Sequence, residues 1–135
     1  IWTNLGYKKK NSYFTNEDVF IGGPLASNAM FVIHSPEYFI DKKTIKVCEE
    51  ISVTGTKEIT DDIQKGQGPR KAIFLLGYSG WTPGQLEDEI MRDSWFVSEK
   101  FQNLIFNVDY QTKWTDALLL IGIDPSKLSS YAGSS

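Results

Sequence analysis

RKAIFLLGYSGWTPGQLEDEIMR, residues 70–92, reads as a buried strand that runs through a tight turn into a helix. Arg70 to Leu76 carries the unbroken apolar run Ala72 to Leu76, the length and pattern of a strand covered on both faces. Gly77, Tyr78, Ser79, Gly80 and Trp81 are predicted to form the turn. Thr82 then fits the N-cap, Pro83 the first helical position and Gln85 the third, so that side chains satisfy the first free amides reciprocally. The helix is predicted over Pro83 to Arg92, with Leu86 and Ile90 toward the core. Glu87, Asp88 and Glu89 occupy early and middle turns, where the helix dipole favours negative charge.

Upstream, Asp18 to Ile21 and Ala29 to His34 read as strands separated by a turn at Gly22, Gly23 and Pro24. Ile45, Val47, Ile51 and Val53 share one parity between Thr44 and Val53, the period of a half-buried strand pair. A turn or bulge at Glu49 and Glu50 keeps those acids out of the core. Thr56 to Lys65 is predicted as a short helix with Ile59 and Ile63 on one face, ended by Gly66 in a left-handed conformation. Downstream, Trp95 to Val97 is a candidate strand. Asp109 is placed to cap a last helix in which Trp114, Ala117, Leu118 and Ile121 follow helical spacing, with Gly122 closing it. Asp124 and Pro125 start one more helical turn, and residues 129–135 read as a frayed tail. Strands and helices without regular alternation point to an α+β fold over a doubly wound sheet.

Composition bounds the function. The 135 residues are 41% hydrophobic and 23% charged, enough for one core without staples. One cysteine, Cys48, forbids an internal disulfide and fits a reducing compartment, the cytosol by default. The longest apolar runs are far short of the roughly 18 residues a membrane helix needs, so no membrane association is expected. Fourteen basic against seventeen acidic residues give a net charge of −3, which makes direct nucleic-acid binding the least favoured reading. Lys8, Lys9 and Lys10 read as a solvated loop.

Reactive constellations are incomplete. A nucleophile elbow has Gly77 and Ser79 but Trp81 where the last glycine belongs. No Lys-Ser or Lys-Thr pair follows Gly80 and Gly84 as a phosphate loop requires. One histidine and one cysteine leave too few soft ligands for zinc, and no residues have metal-ligand spacing. No catalytic residue, metal or cofactor is therefore assigned. Glu87, Asp88 and Glu89 are accounted for by helix stability, and Cys48 sits beside two carboxylates that disfavour its thiolate. His34, at a strand end, reads as structural before it reads as a ligand.

Gly77-Tyr78-Ser79-Gly80-Trp81-Thr82-Pro83-Gly84-Gln85-Leu86-Glu87, followed by Glu89 and Trp95, closely resembles the hallmark segment of the AlgH-like family, bacterial proteins of unassigned molecular function. Gly22-Gly23-Pro24, the apolar strand ending in His34, Phe106 before Trp114, and Leu120-Ile121-Gly122-Ile123-Asp124 resemble its other blocks, in order. The resemblance implies one AlgH-like domain over residues 1–135, with a bent, bifurcated mixed sheet forming a pseudo-barrel flanked by helices. It also implies a cytosolic location and, in some bacteria, a link to transcriptional control of exopolysaccharide production. Family members carry strands and a helix upstream of the Gly-Gly-Pro block, so this domain is expected to lack them. Where the family tends to finish in Gly, His, Ala, this chain has Gly133, Ser134 and Ser135.

Two functions remain open on these grounds. The first is a non-enzymatic regulator or adaptor acting through a protein partner or small ligand, with Gly22, Gly23, His34, Tyr78, Gly80, Trp81, Gln85 and Glu87 as candidate binding residues. The Gly77 to Glu87 corner serves there either as an anion site or as architecture. The second is an enzyme acting on a small molecule in a pocket near His34, Tyr78, Trp81 and Glu87.

Overall fold

The computed structural model describes residues 19–99, 104–106 and 110–128. The fold is α+β, as expected. The chain divides into two compact units, Ile1–Gly80 and Trp81–Ser135.

The first unit is built on β1 (Val19–Ile21), β2 (Leu25–His34), β3 (Thr44–Cys48), β4 (Ile51–Thr54), α1 (Lys57–Gln64) and β5 (Ala72–Tyr78). They form a mixed sheet in the order β1-β5-β2-β4-β3. β1 lies parallel to β5, and the remaining pairs are antiparallel. Among the described residues the sheet is open, with β1 and β3 at its edges, so these strands alone close no barrel.

One row of side chains crosses the whole sheet. Val19 pairs with Phe74, Phe74 with Val32, Val32 with Thr54, and Thr54 with Thr44. All five are buried. Against this row packs α1, whose Ile59 joins Val19, Val32 and Phe74 in the core, with Ile63 and Tyr38 beside it. Helix and sheet thus share the two periods read in the sequence: 3.6 residues for Ile59 and Ile63, two for the strands. Gly66 ends α1 at φ +74°. The bonds Gly66 N to Ile63 O and Gln67 N to Asp62 O close the helix with both hydrogen bonds of a Schellman motif. Lys43 pairs with Glu58, and the Tyr38 hydroxyl donates to Asp62 Oδ2 at 2.6 Å, tying α1 to the preceding chain. Burial, that hydrogen bond and the charges of Asp62 and Glu58 push the Tyr38 phenol above its ordinary range.

The hairpin β3–β4 turns at Glu49 and Glu50 as expected, with an irregular register between Lys46 and Cys48. The face it buries is a correction. Ile45 and Val47 are exposed, whereas Thr44, Ser52 and Thr54 are buried, so strand parity assigned the apolar face of β3 to the wrong side. The buried hydroxyls of Thr44 and Thr54 are tolerated because they hydrogen-bond each other and His34. Ile51 is also buried, at the irregularity.

Two strands run longer than expected. β2 begins at Leu25, with a register irregularity between Leu25 and Met30, and Ala26 has φ +46°. β5 continues through Gly77 to Tyr78, which pairs with Leu25. The glycines make this continuation possible. Gly22 N donates to Leu76 O at 2.7 Å. A Cβ on Gly22 would overlap the Gly77 carbonyl oxygen, one on Gly23 the Tyr78 carbonyl group, and one on Gly77 the Gly23 carbonyl oxygen. Two backbones therefore touch here with no room for side chains.

In the second unit, α2 spans Gln85–Met91 and α3 spans Tyr110–Leu120. Residues 125–128 form one further helical turn. Asp124 Oδ1 accepts from both the Ser126 amide and its hydroxyl, which holds the Asp124 carboxyl below its ordinary range. Gly122 closes α3 at φ +80°, with Gly122 N bonded to Leu119 O and Ile123 N to Leu118 O. Leu118 is buried, and Lys113 donates to Ile105 O at 2.9 Å. The expected strand at Trp95 to Val97 is not formed: residues 95–97 are irregular and exposed. Asp109 and the tail 129–135 lie outside the described residues.

Candidate functional site

The turn before α2 differs from the sequence expectation by one element. Thr82-Pro83-Gly84-Gln85 forms a β-turn closed by Gln85 N to Thr82 O at 3.0 Å, with Gly84 at φ +83°, ψ −13°. That is a type II turn, which Pro followed by Gly favours and which an α-helix cannot contain. The helix therefore starts at Gln85, with Gly84 rather than Thr82 at its N-cap. Half of the expected reciprocity survives: Gln85 Oε1 accepts from the Thr82 amide at 3.1 Å and from its hydroxyl at 3.2 Å.

Gln85 and Glu89 stand one helical turn apart, so they meet on one face of α2, and Gln85 Nε2 donates to Glu89 Oε1 at 3.0 Å. The other carboxylate oxygen, Oε2, accepts from two indoles, Trp81 at 3.1 Å and Trp95 at 2.7 Å. The two rings lie 5.7 Å apart at 74°. Hydrogen bonds from Trp95, Trp81 and Gln85, with the charge of Arg92 nearby, hold the Glu89 carboxyl below its ordinary range. Glu89 thus gathers the turn, the helix and the segment after it around one anion.

This cluster predicts a pH dependence. The folded-state value of Glu89 is depressed, so its contribution is complete above the ordinary glutamate value of 4.5 and is lost as pH falls through the lower folded value. Indole fluorescence is expected to change with a midpoint below 4.5, and Glu89→Gln removes that transition. A variant that titrates like the parent would show that other carboxyls govern the indoles.

The remaining surface of this segment is open. No residue of α2 is buried, and Leu86 and Ile90 are only half-buried. Met91 is 83% exposed, and Phe96 and Val97 are exposed as well. Glu87, a sequence candidate, is on the solvent side of α2 and makes none of the bonds around Glu89.

The other candidates fall in the first unit. His34 is 0% exposed. Its Nδ1 lies 2.8 Å from Ser35 O and its Nε2 2.8 Å from Thr54 Oγ1. A carbonyl only accepts, so Nδ1 carries a proton and donates to Ser35 O, and the tautomer with Nε2 accepting from Thr54 is assigned from the surrounding hydrogen bonds. Thr54 Oγ1 then accepts from Thr44, 2.8 Å away, and Thr44 from the Ile40 amide at 2.9 Å. Every donor in this chain finds an acceptor. Tyr78, by contrast, is exposed, its ring edge-on to Phe31 at 5.8 Å. His34 pairs with Ala72, six residues before Tyr78 on β5. At about 3.3 Å per residue the strand holds these two candidates about 20 Å apart, so they do not share a pocket. Gly22, Gly23 and Gly80 lie at close approaches, Gly80 against the Leu25 side chain. Cys48 is a half-buried free thiol, and the described residues hold no group of three or more metal-ligating side chains.

Sequence reasoning singled out Trp81 and Gln85 but passed over Glu89 and Trp95 as site residues. The four-residue spacing from Gln85 to Glu89 was the available signal; the return of Trp95 onto Glu89 had none.

Comparison with known proteins agrees with the sequence resemblance. A family model described as AlgH-like matches residues 3–126. A UPF0301 protein of Cereibacter sphaeroides is 44% identical over 115 residues, covering 85% of this chain and 62% of that protein. One from a Methylobacterium species is 45% identical over 115 residues, covering 85% and 55%. The solution structure of the AlgH protein from Pseudomonas aeruginosa superposes with a TM-score of 0.73 at 25% identity, covering 88% of this chain and 62% of that one. The chain thus spans little more than half the length of the relatives it matches. With nearly the whole sequence matched by the family model, the chain belongs to the AlgH-like family.

Proposed function

We propose that this protein acts by binding a protein partner, as a regulator or adaptor, and does so through the surface formed by residues 81–99. The observation that carries this reading is the exposure of Trp81, Met91, Trp95, Phe96 and Val97 along a segment organised by its own hydrogen bonds. Aromatic residues and methionine are the side chains enriched at interfaces, and large apolar side chains left exposed together in one segment point to a contact surface. The same segment carries Glu87, Asp88, Glu89, Asp93 and Glu99 against Arg92 alone. The matching partner surface is therefore apolar at its centre and basic at its rim, and nucleic acid is disfavoured. His34 supports the reading, since both of its ring nitrogens are used inside the core. A cytosolic location accords with the single cysteine and with the finding that no helix among the described residues is long and apolar enough to cross a membrane.

The test uses the protein isolated from its own cells. It is expected to elute with a stoichiometric protein partner that is released by added salt and lost from Met91→Ser/Phe96→Ser, but retained by Ile45→Ser on exposed β3. A bare subunit, or a complex untouched by the double substitution, overturns the proposal.

A further inference from the structure

The two indoles at Glu89 are arranged as an open corner. An indole N–H lies in its ring plane, and both N–H groups address one atom, Glu89 Oε2. The two planes therefore meet near that oxygen and open from it like the covers of a book, with Glu89 at the spine. Rings at 74° with centres 5.7 Å apart fit such an arrangement. A point between the covers then lies about 4 Å from both ring centres, inside the range at which an indole face attracts a cation. Trp81 is 37% exposed and Trp95 47%, so both residues reach solvent.

We infer that this corner is a cation site, which receives the ammonium or guanidinium of a Lys or Arg side chain presented by the protein partner. The inference rests on the partner-binding reading above and names the chemistry of its anchor. Three features act together. Two tryptophan faces converge, and tryptophan is the strongest cation–π acceptor. A carboxylate stands at the spine, and its hydrogen bonds favour its ionised form. Phe96 and Val97, exposed and next to Trp95 in the chain, add apolar surface of the kind the aliphatic stem of a Lys or Arg lies against. Arg92 is the one base in the segment, and its charge already acts on Glu89. It makes no ion pair with Glu89, so the negative charge at the spine is held by three neutral donors and is not neutralised by a contacting cation.

The experiment follows the indole N–H signals of Trp81 and Trp95 by NMR in the full chain, assigned through single Trp→Phe variants. Three probes are titrated: the blocked peptide acetyl-Gly-Leu-Lys-Leu-Gly-amide, its norleucine analogue, and free n-butylammonium. The lysine peptide is expected to shift both signals and to bind about tenfold more tightly than the norleucine peptide, the scale of a partly desolvated cation–π contact. Glu89→Gln and Trp95→Phe are each expected to reduce that preference at least threefold while the amide spectrum stays folded. Equal binding of the lysine and norleucine peptides overturns the cation site yet leaves an apolar partner surface standing. Shifts absent from both indoles, or a preference unchanged in both variants, also overturn it. Butylammonium binding as tightly as the peptide overturns the protein source and assigns the corner to a free amine. Loss of the salt-sensitive cellular complex, with the lysine preference intact, instead removes the partner reading.

Discussion

Gly23→Ala is expected to unfold the first unit under conditions where the parent is stable, by about 3 kcal/mol or more. The added Cβ would fall on the Tyr78 carbonyl group and the Ser79 amide, and backbone cannot swing aside as a side chain does. The clash lies where Gly22 and Gly23 cross β5, so relief requires prying β5 from its neighbours. Gly77→Ala meets the same crossing from the other strand and adds the strain of φ +76°. Gly84→Ala is the internal control. It too has a positive φ, +83°, but nothing lies within 4 Å of its Cβ, so its cost is limited to about 1–2 kcal/mol of backbone strain. Urea unfolding of the three variants separates the two causes. Gly23→Ala with a midpoint close to that of Gly84→Ala would show that the crossing yields easily, and this account of the glycine pair would be wrong.

The second large effect is expected at Ile59. Its side chain is fully buried between α1 and the row Val19, Phe74 and Val32. Ile59→Ala removes three buried carbons and leaves a cavity that a five-stranded sheet cannot collapse into, at a cost of about 2–5 kcal/mol. Domains of this size hold about 5–15 kcal/mol in all, so the substitution consumes a large share of the stability. Ile63→Ala, on the same face but half-buried, should cost distinctly less. Chemical denaturation followed by far-ultraviolet circular dichroism measures both. Near-equal losses at the two positions would mean that α1 does not seat on the sheet through Ile59.

Both predictions concern architecture, and they explain why the most recognisable blocks of the sequence are glycine-rich without being reactive. Gly22-Gly23 and Gly77 meet as two backbones, and Pro83-Gly84 makes a turn. None of these needs a ligand to account for its residue types. The second unit's segment from Trp81 to Val97 is different, because its large apolar side chains remain in water. Burial explains the glycines and does not explain the exposed aromatics.

Local interactions decide what sequence reading reaches here. Gly66 and Gly122 end their helices in the left-handed region because only residues without a Cβ take it freely, and that preference acts within one turn of chain. The strand positions, the hairpin at Glu49 and Glu50, and the core role of Ile59 follow from periodicity in the same local way. Even the error at residues 82–85 is local: two short-range preferences competed, and the Pro-Gly turn prevailed over the earlier helix start.

Tertiary structure decided the rest, through the way formed elements bring side chains together. Parity showed that Ile45 and Thr44 face opposite ways, but which side is the inside depended on His34, whose Nε2 meets Thr54, 20 residues away. A hydroxyl is costly to bury alone and tolerable in a closed hydrogen-bond chain, so the polar face of β3 and β4 could become the core. Likewise, Trp81 and Trp95 converge on one oxygen of Glu89 only after a type II turn and a short helix have set their directions. Local energies set most of the elements and the glycine-terminated ends of α1 and α3; the inside of the sheet was decided by a contact across 20 residues, and the aromatic corner by side chains six and eight residues from Glu89 that meet only once the turn and helix have set their directions.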